Sequence, residues 1–238
     1  MMAARKGVDW IGLGLMCKPP RPGTSKTRLA ASIGPDAAAR LSRAFLEDCA
    51  RSAGEAAAIA RLVPQAFFRP EDGRQELAAI LGQDWPLTFA DAGDLGATMI
   101  EVLAYLLAEC PAGAMIMGAD MPLMGRGALV EAAEALGASG PDDVVIVPSA
   151  DGGYCLLGVR SLAAAKALCA PMAWSTPTVL AETCRRANEA GLAIRTLAAQ
   201  RDIDELADLD WLKAELALDA TVAPSTRRAI SELATRAS

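Results

Sequence analysis

Short apolar runs alternate with stretches of helical period along this chain. Trp10 to Met16 is apolar, and turn formers follow at once (Lys18-Pro19-Pro20-Arg21-Pro22-Gly23), which predicts a strand leading into an irregular loop. A helix is expected from Gly34-Pro35. Proline suits its first position, Asp36 complements the dipole, and Ala38, Leu41, Phe45 and Leu46 recur on one face. Ala58 to Phe68 holds a second strand that Pro64 is expected to break. Glu71 to Leu81 reads as a short helix, Pro86 to Phe89 as a brief strand, and Asp94 to Cys110 as a strong helix. Strands then fall at Ala114 to Gly118, Val144 to Val147, Tyr154 to Val159 and Leu192 to Leu197. Helices fall at Gly127 to Leu136, Ser161 to Cys169, Pro177 to Ala190, Glu205 to Leu216 and Pro224 to Ala237. Thr176 is the expected N-cap of the helix at Pro177, and Gly191 its stop.

Strands alternating with helices predict an α/β fold with a mostly parallel central sheet flanked by helices. No repeat or low-complexity linker interrupts it, so residues 1–238 are read as a single domain. In such sheets ligands bind beyond the carboxyl ends of the strands, so chemistry is sought in the loops found there.

Composition narrows that chemistry. The chain has no histidine, which excludes a Ser-His-Asp triad, a Cys-His dyad, a His-ligated zinc and a histidine general base. A net charge of −6 argues against a nucleic-acid partner, although a local basic cluster could still hold a small phosphate ligand. No apolar stretch reaches the roughly 18 residues that span a bilayer. Arg5 and Lys6 before an apolar run look like a signal peptide, but Asp9 interrupts and no small-residue cleavage site follows. The six cysteines form no Cys-x-x-Cys pair, so they read as small buried residues in a reducing cytoplasm.

Five loops carry candidate chemistry. The first gathers Lys18, Arg21, Lys26 and Arg28 around Gly23, which fits a di- or triphosphate better than a solvated basic turn. It is not a P-loop, and Gly12 and Gly14 lack the third glycine of a dinucleotide fingerprint. The second, Gly118-Ala-Asp120-Met-Pro122, sets a carboxylate at a strand end, where it can hold Mg²⁺ or Mn²⁺ against phosphates or simply make a turn. The third, Asp151-Gly152-Gly153-Tyr154, permits close backbone approach to a ligand, but taken alone reads first as a hairpin turn, for which Asp-Gly is a strong signal. The fourth, Asp202-Ile203-Asp204 with Asp208, places carboxylates at alternate positions on one side of an extended segment, where one could complete a metal site begun by Asp120. Its plainer reading makes Asp204 an N-cap and leaves Asp208 on an exposed face. In the fifth, Trp174-Ser175-Thr176, the indole either stacks on a base or sugar or sits in the core.

In order, Lys18 to Leu29, Asp94-Leu-Gly96 with Met99, Gly118 to Pro122, Asp151 to Tyr154, Trp174 to Thr176 and Asp202 to Leu209 resemble one family. It is the domain of unknown function 2064 family, also called selenodomain-associated or arsenosugar-type glycosyltransferases. The resemblance spans about residues 11–213, leaving 220–238 as a C-terminal helix or tail. It implies the glycosyltransferase-A (GT-A) fold of the nucleotide-diphospho-sugar transferase superfamily. It further implies Asp120 as metal-binding acid, Asp204 as a later carboxylate on the same metal, and Lys26 and Arg28 facing phosphates. Pro122 replaces the second acid of a strict Asp-x-Asp, and Glu205-Leu206 stands where the family more often has Thr-Pro.

The expected activity is a metal-dependent, glycosyltransferase-like transfer from a nucleotide sugar to a small acceptor, with Mg²⁺ or Mn²⁺ as cofactor. The phosphate-binding set is Lys18, Gly23, Lys26, Arg28, Gly152 and Gly153, and Asp151 is the best group to position or deprotonate an acceptor hydroxyl. Nucleotidyl transfer from an NTP to a phosphorylated acceptor, releasing pyrophosphate, uses the same parts. A non-catalytic nucleotide-binding module is the third reading.

Overall fold

The computed structural model describes residues 9–138, 140 and 143–236; Arg5, Lys6 and Ala237 lie outside them. Strand β1 (Ile11–Cys17) is followed by helices α1 (Thr27–Ile33) and α2 (Pro35–Ile59) and by β2 (Leu62–Phe68). A 3₁₀ turn at Glu71–Gly73, α3 (Arg74–Leu81) and β3 (Leu87–Phe89) come next. Then follow α4 (Leu95–Glu109), β4 (Gly113–Gly118), α5 (Arg126–Gly137), β5 (Asp143–Pro148) and β6 (Tyr154–Val159). The chain continues through α6 (Leu162–Cys169), α7 (Val179–Glu189), β7 (Ala193–Thr196), α8 (Leu206–Leu218) and α9 (Pro224–Arg236).

The strands form one sheet in the order β3-β2-β1-β4-β6-β5-β7. All neighbours run parallel except β6, which is antiparallel to both β4 and β5. The sheet is therefore mostly parallel, as expected, and Asp151-Gly152 is the turn of the one hairpin in it. That inversion brings the β5–β6 turn to the edge where the parallel strands end.

Both faces of the sheet are covered, because successive side chains alternate between them. Leu13, Leu15, Met115, Met117, Val145 and Val147 pack with α2 and α5 on one face. Ala114, Ile116, Val144, Ile146, Leu157 and Val159 pack with α4, α6 and α7 on the other. A third cluster joins Leu29 of α1, Leu41 and Phe45 of α2, Ile203, and Leu209, Leu212 and Leu216 of α8.

Three expectations are corrected. Pro64 does not break β2, which pairs with β1 along its whole length. Ala66 donates its N–H to Pro86 on the β3 side. By the period of two, the missing donor of Pro64 faces that same side, beyond the end of β3, where no partner needs it. Ala58 belongs to the last turn of α2 rather than to a strand. Helix α7 starts at Val179, not Pro177; Thr176 Oγ1 donates to the carbonyl of Ala173 instead of capping it.

Helix α9 is docked by a buried acid. Asp48 of α2, fully buried, accepts from the backbone N–H groups of Ser225 (3.1 Å) and Thr226 (2.8 Å) and from Arg51 (2.7 Å). A carboxylate at a helix N-terminus satisfies donors that have no partner within the helix and complements its dipole. Asp48→Ala is expected to cost roughly 2 kcal/mol. Hydrogen exchange should rise first at the amides of residues 224–236, with the sheet amides unchanged at the same denaturant concentration.

Candidate functional site

Asp120 lies just past the end of β4, and its position depends on Gly118. A Cβ on Gly118 would stand 2.8 Å from Asp120 Oδ1, so only glycine lets the carboxylate fold back over the strand end. After β7 the chain zips along the neighbouring strand ends. Leu197 donates to Ile146, Gln200 to Pro148, Ala150 to Gln200, and Ile203 to Asp120 through backbone bonds. This run is extended, so side chains alternate. Ile203 is fully buried in the third core cluster, and Asp202 and Asp204 face the cleft on either side of it. Asp120, Asp202 and Asp204 each offer a carboxylate oxygen, and the three oxygens lie within 4.8 Å of one another.

Cations reach the same point from the loop after β1. That loop is pinned to the β2–α3 corner, where Arg21 Nε donates to Glu76 (2.9 Å) and Nη1 to Asp72 (3.1 Å). Ser25 Oγ accepts from Arg21 N–H and donates to the Pro19 carbonyl. Lys26, at φ +48°, precedes α1, a helix the sequence left inside the loop; buried Leu29 anchors it. Lys26 Nζ donates to Asp120 Oδ2 (2.7 Å) and Asp204 Oδ1 (2.6 Å), and its side chain is only 8% exposed. Arg28 donates to Asp204 Oδ2 (2.8 Å) and Glu205 Oε1 (3.1 Å) from a 64% exposed position.

The electrostatics follow from this crowding. Burial pulls the Lys26 ammonium down, but Asp120 and Asp204 outweigh it and hold it above the usual lysine range. Asp204 likewise raises Arg28. Asp202 is pushed above the ordinary carboxylate range by burial; the Ser149 hydroxyl (2.9 Å) opposes this, and Asp120, Asp151 and Asp204 add to it. Burial drives the thiols of Cys17 and Cys155, both in the cleft wall, up to about 12.

The residues line a cleft of about 720 Å³ at the strands' carboxyl edge. Of the expected site residues, Lys18, Lys26, Arg28, Asp120, Asp151 and Asp204 line it. Lys18 is exposed and makes no ion pair among the described residues. Gly23, at φ +79°, turns the loop outside the cleft wall, and Arg21 is spent on the α3 corner. Gly152 and Gly153 also lie outside the wall. Gly152, at φ +90°, admits Pro177, whose carbonyl oxygen would stand 2.3 Å from a Cβ there. Asp151 Oδ1 accepts from Gly153 N–H (2.9 Å), which fixes its turn. Trp174 lines the cleft and also packs against Gly96 of α4.

Asp202 is the site residue that the sequence reading left without a role of its own. The alternation Asp-Ile-Asp was the available signal, and it holds. The plainer reading of that loop is corrected: Glu205, not Asp204, is the N-cap of α8. Asp208 completes a capping box there by accepting from Glu205 N–H at 2.9 Å. Three carboxylate oxygens so close together could hold a metal ion, whose positive charge would offset theirs.

Comparison with known proteins follows this geometry. The model of the domain of unknown function 2064, described as an uncharacterized protein conserved in bacteria, matches residues 52–176. That span holds Asp120, Asp151 and Trp174, whereas Lys26, Asp202 and Asp204 lie outside it. No curated protein matches the chain. Among solved structures, one described as a candidate nucleotide-diphospho-sugar transferase from Desulfovibrio desulfuricans G20 superposes with a TM-score of 0.82. It is 23% identical, over 95% of this chain and 97% of that one. A nucleotidyl transferase from Methanothermobacter thermautotroptrophicus gives 0.59 at 13% identity, over 87% and 98%. The 4-diphosphocytidyl-2C-methyl-D-erythritol synthase of Anaerococcus prevotii DSM 20548 gives 0.57 at 14% identity, over 87% and 96%. With the family model covering more than half of its length, this chain belongs to the domain of unknown function 2064 family and carries the nucleotide-diphospho-sugar transferase fold.

Proposed function

We propose that the protein is a metal-dependent glycosyltransferase-like enzyme that moves a sugar from a nucleotide-diphospho-sugar to a small acceptor. One observation carries the reading: three carboxylates and two cations from distant parts of the chain converge at the strand ends of this fold. Asp120, Asp202 and Asp204 would hold Mg²⁺ or Mn²⁺. The bound ion would neutralise charge on the donor's diphosphate. Lys18, Lys26 and Arg28 would bind the same diphosphate and stabilise the charge that grows on it as the sugar–oxygen bond breaks. Asp151, beside the cleft, would position the acceptor hydroxyl and take its proton as the new glycosidic bond forms. Ser149 would orient Asp202 through its hydroxyl. The reading also treats the chain as one domain acting in the cytoplasm. Among the described residues no helix is long and apolar enough to cross a membrane.

Nucleotidyl transfer is the second reading, favoured by similar folds in a nucleotidyl transferase and a 4-diphosphocytidyl-2C-methyl-D-erythritol synthase. Both reactions load a diphosphate with negative charge, so the same residues serve. The products separate them: nucleoside diphosphate from a nucleotide sugar, or pyrophosphate from an NTP. A module that binds nucleotide without turnover would release neither.

A thermal-shift screen of UDP-, GDP- and TDP-sugars against the matching triphosphates, with and without Mn²⁺, tests the assignment. A larger Mn²⁺-dependent shift by a nucleotide sugar is the expected result; a larger shift by the triphosphate would replace it with nucleotidyl transfer. Asp120→Asn is expected to abolish the Mn²⁺-dependent part of that shift and to lower turnover at least about a hundredfold. Full metal dependence in that variant would remove Asp120 from the site. Lys18→Ala should weaken donor binding about fivefold, near 1 kcal/mol. Its Mn²⁺ affinity, measured without nucleotide, should match that of the unaltered protein.

A further inference from the structure

Two cations of the cleft, Lys26 and Arg28, are bound to carboxylates before any ligand arrives. Lys26 is hydrogen-bonded to Asp120 and Asp204, and Arg28 to Asp204 and Glu205, so Asp204 is shared. The Lys26 ammonium bridges Asp120 and Asp204 at 2.7 and 2.6 Å, a geometry in which one positive charge binds two acids of the triad. Its side chain is 8% exposed, whereas those of Asp120 and Asp204 are 38% and 28% exposed. The acids therefore remain open to solvent while the lysine lies beneath them. A divalent ion can approach the carboxylates from the cleft without first moving the backbone. Two cations held by the same oxygens would repel each other at short range, so the ammonium and the ion exclude one another.

We propose that Lys26 is the resident counter-ion of the acid triad: it competes with a divalent cation for Asp120 and Asp204, and cation entry releases Lys26 and Arg28 to the diphosphate. The inference rests on the metal-dependent reading above and adds the order of events. Before an ion binds, Lys26 and Arg28 offset part of the triad's charge, and among the described residues Lys18 is the cation of the loop that makes no ion pair. Loading the triad converts the same residues into an anion site. Metal and diphosphate then bind with positive coupling, which by linkage acts equally in both directions.

Titration of the nucleotide-free protein with Mn²⁺, followed through the electron paramagnetic resonance signal of the free ion, tests this without any turnover. Lys26→Gln is expected to bind Mn²⁺ about tenfold more tightly than the unaltered protein. Lys26→Arg should stay near the unaltered value. Arg28→Gln should fall between, since Arg28 touches only Asp204 of the triad. Its exposed position keeps that variant informative should Lys26→Gln fold poorly. Asp120→Asn is the control for the metal site itself. Unchanged or weaker Mn²⁺ binding in Lys26→Gln, with binding lost in Asp120→Asn, would overturn the competition and leave the metal site standing. No Mn²⁺ binding by any variant would remove both. In the unaltered protein, acylation of Lys26 by acetic anhydride, read by mass spectrometry, should accelerate when Mn²⁺ is added. An unchanged rate at saturating Mn²⁺ would also overturn the proposal.

Discussion

Like charges gathered at one point are the constraint around which this cleft is organised. Asp120, Asp202 and Asp204 place carboxylate oxygens within 4.8 Å of one another in a partly buried setting. Such a cluster costs stability unless positive charge reaches the same place. The fold meets that requirement from the loop after β1, where Lys26 arrives at the N-cap of α1 and Arg28 in its first turn. Several otherwise unrelated features follow from it. Arg21 and Ser25 pin the loop so that Lys26 reaches inward. Gly118 removes the side chain that would push Asp120 outward. Ile203 inserts into the core and so turns its two acidic neighbours toward the cleft.

Much of this architecture was legible in the sequence, because hydrophobic period and turn chemistry agree with the final packing. The strand at Tyr154 to Val159 stands where the pattern put it, and the helix expected from Asp94 begins one residue later with Asp94 as its N-cap. The Asp-Gly turn foretold the hairpin that inverts β6 in an otherwise parallel sheet. The misses have local physical causes. Helix α1 is seven residues long and follows a basic, proline-rich loop, so chemistry masked its helical period. Residue type alone predicts a break at Pro64, because the side its nitrogen faces is a property of the sheet, not of the residue.

The site was legible in its parts and less so in its pairing. Residue types and spacing singled out Lys18, Lys26, Arg28, Asp120, Asp151 and Asp204, and all six border the cleft. What the spacing did not contain was which cation faces which acid. Lys26 and Arg28, expected on phosphates, hold carboxylates. Asp202 gained its place only when the strand-end zipper fixed the direction of residues 200–204. Long-range pairings of this kind depend on sheet order, and sheet order is set by packing across the entire chain.

That zipper has a consequence for how the molecule is made. Asp120 leaves the ribosome with Lys26 already synthesised, so this pair can form early. Asp202 and Asp204 come much later, after β7, and reach the cleft only by laying their backbone along Ile146, Pro148 and Asp120. The acid cluster is thus assembled by contacts of high sequence separation. A nascent chain that has reached only residue 198 carries every strand of the sheet but neither Asp202 nor Asp204. Any ligand of the triad would therefore stabilise the finished molecule alone, drawing late folding forward by mass action.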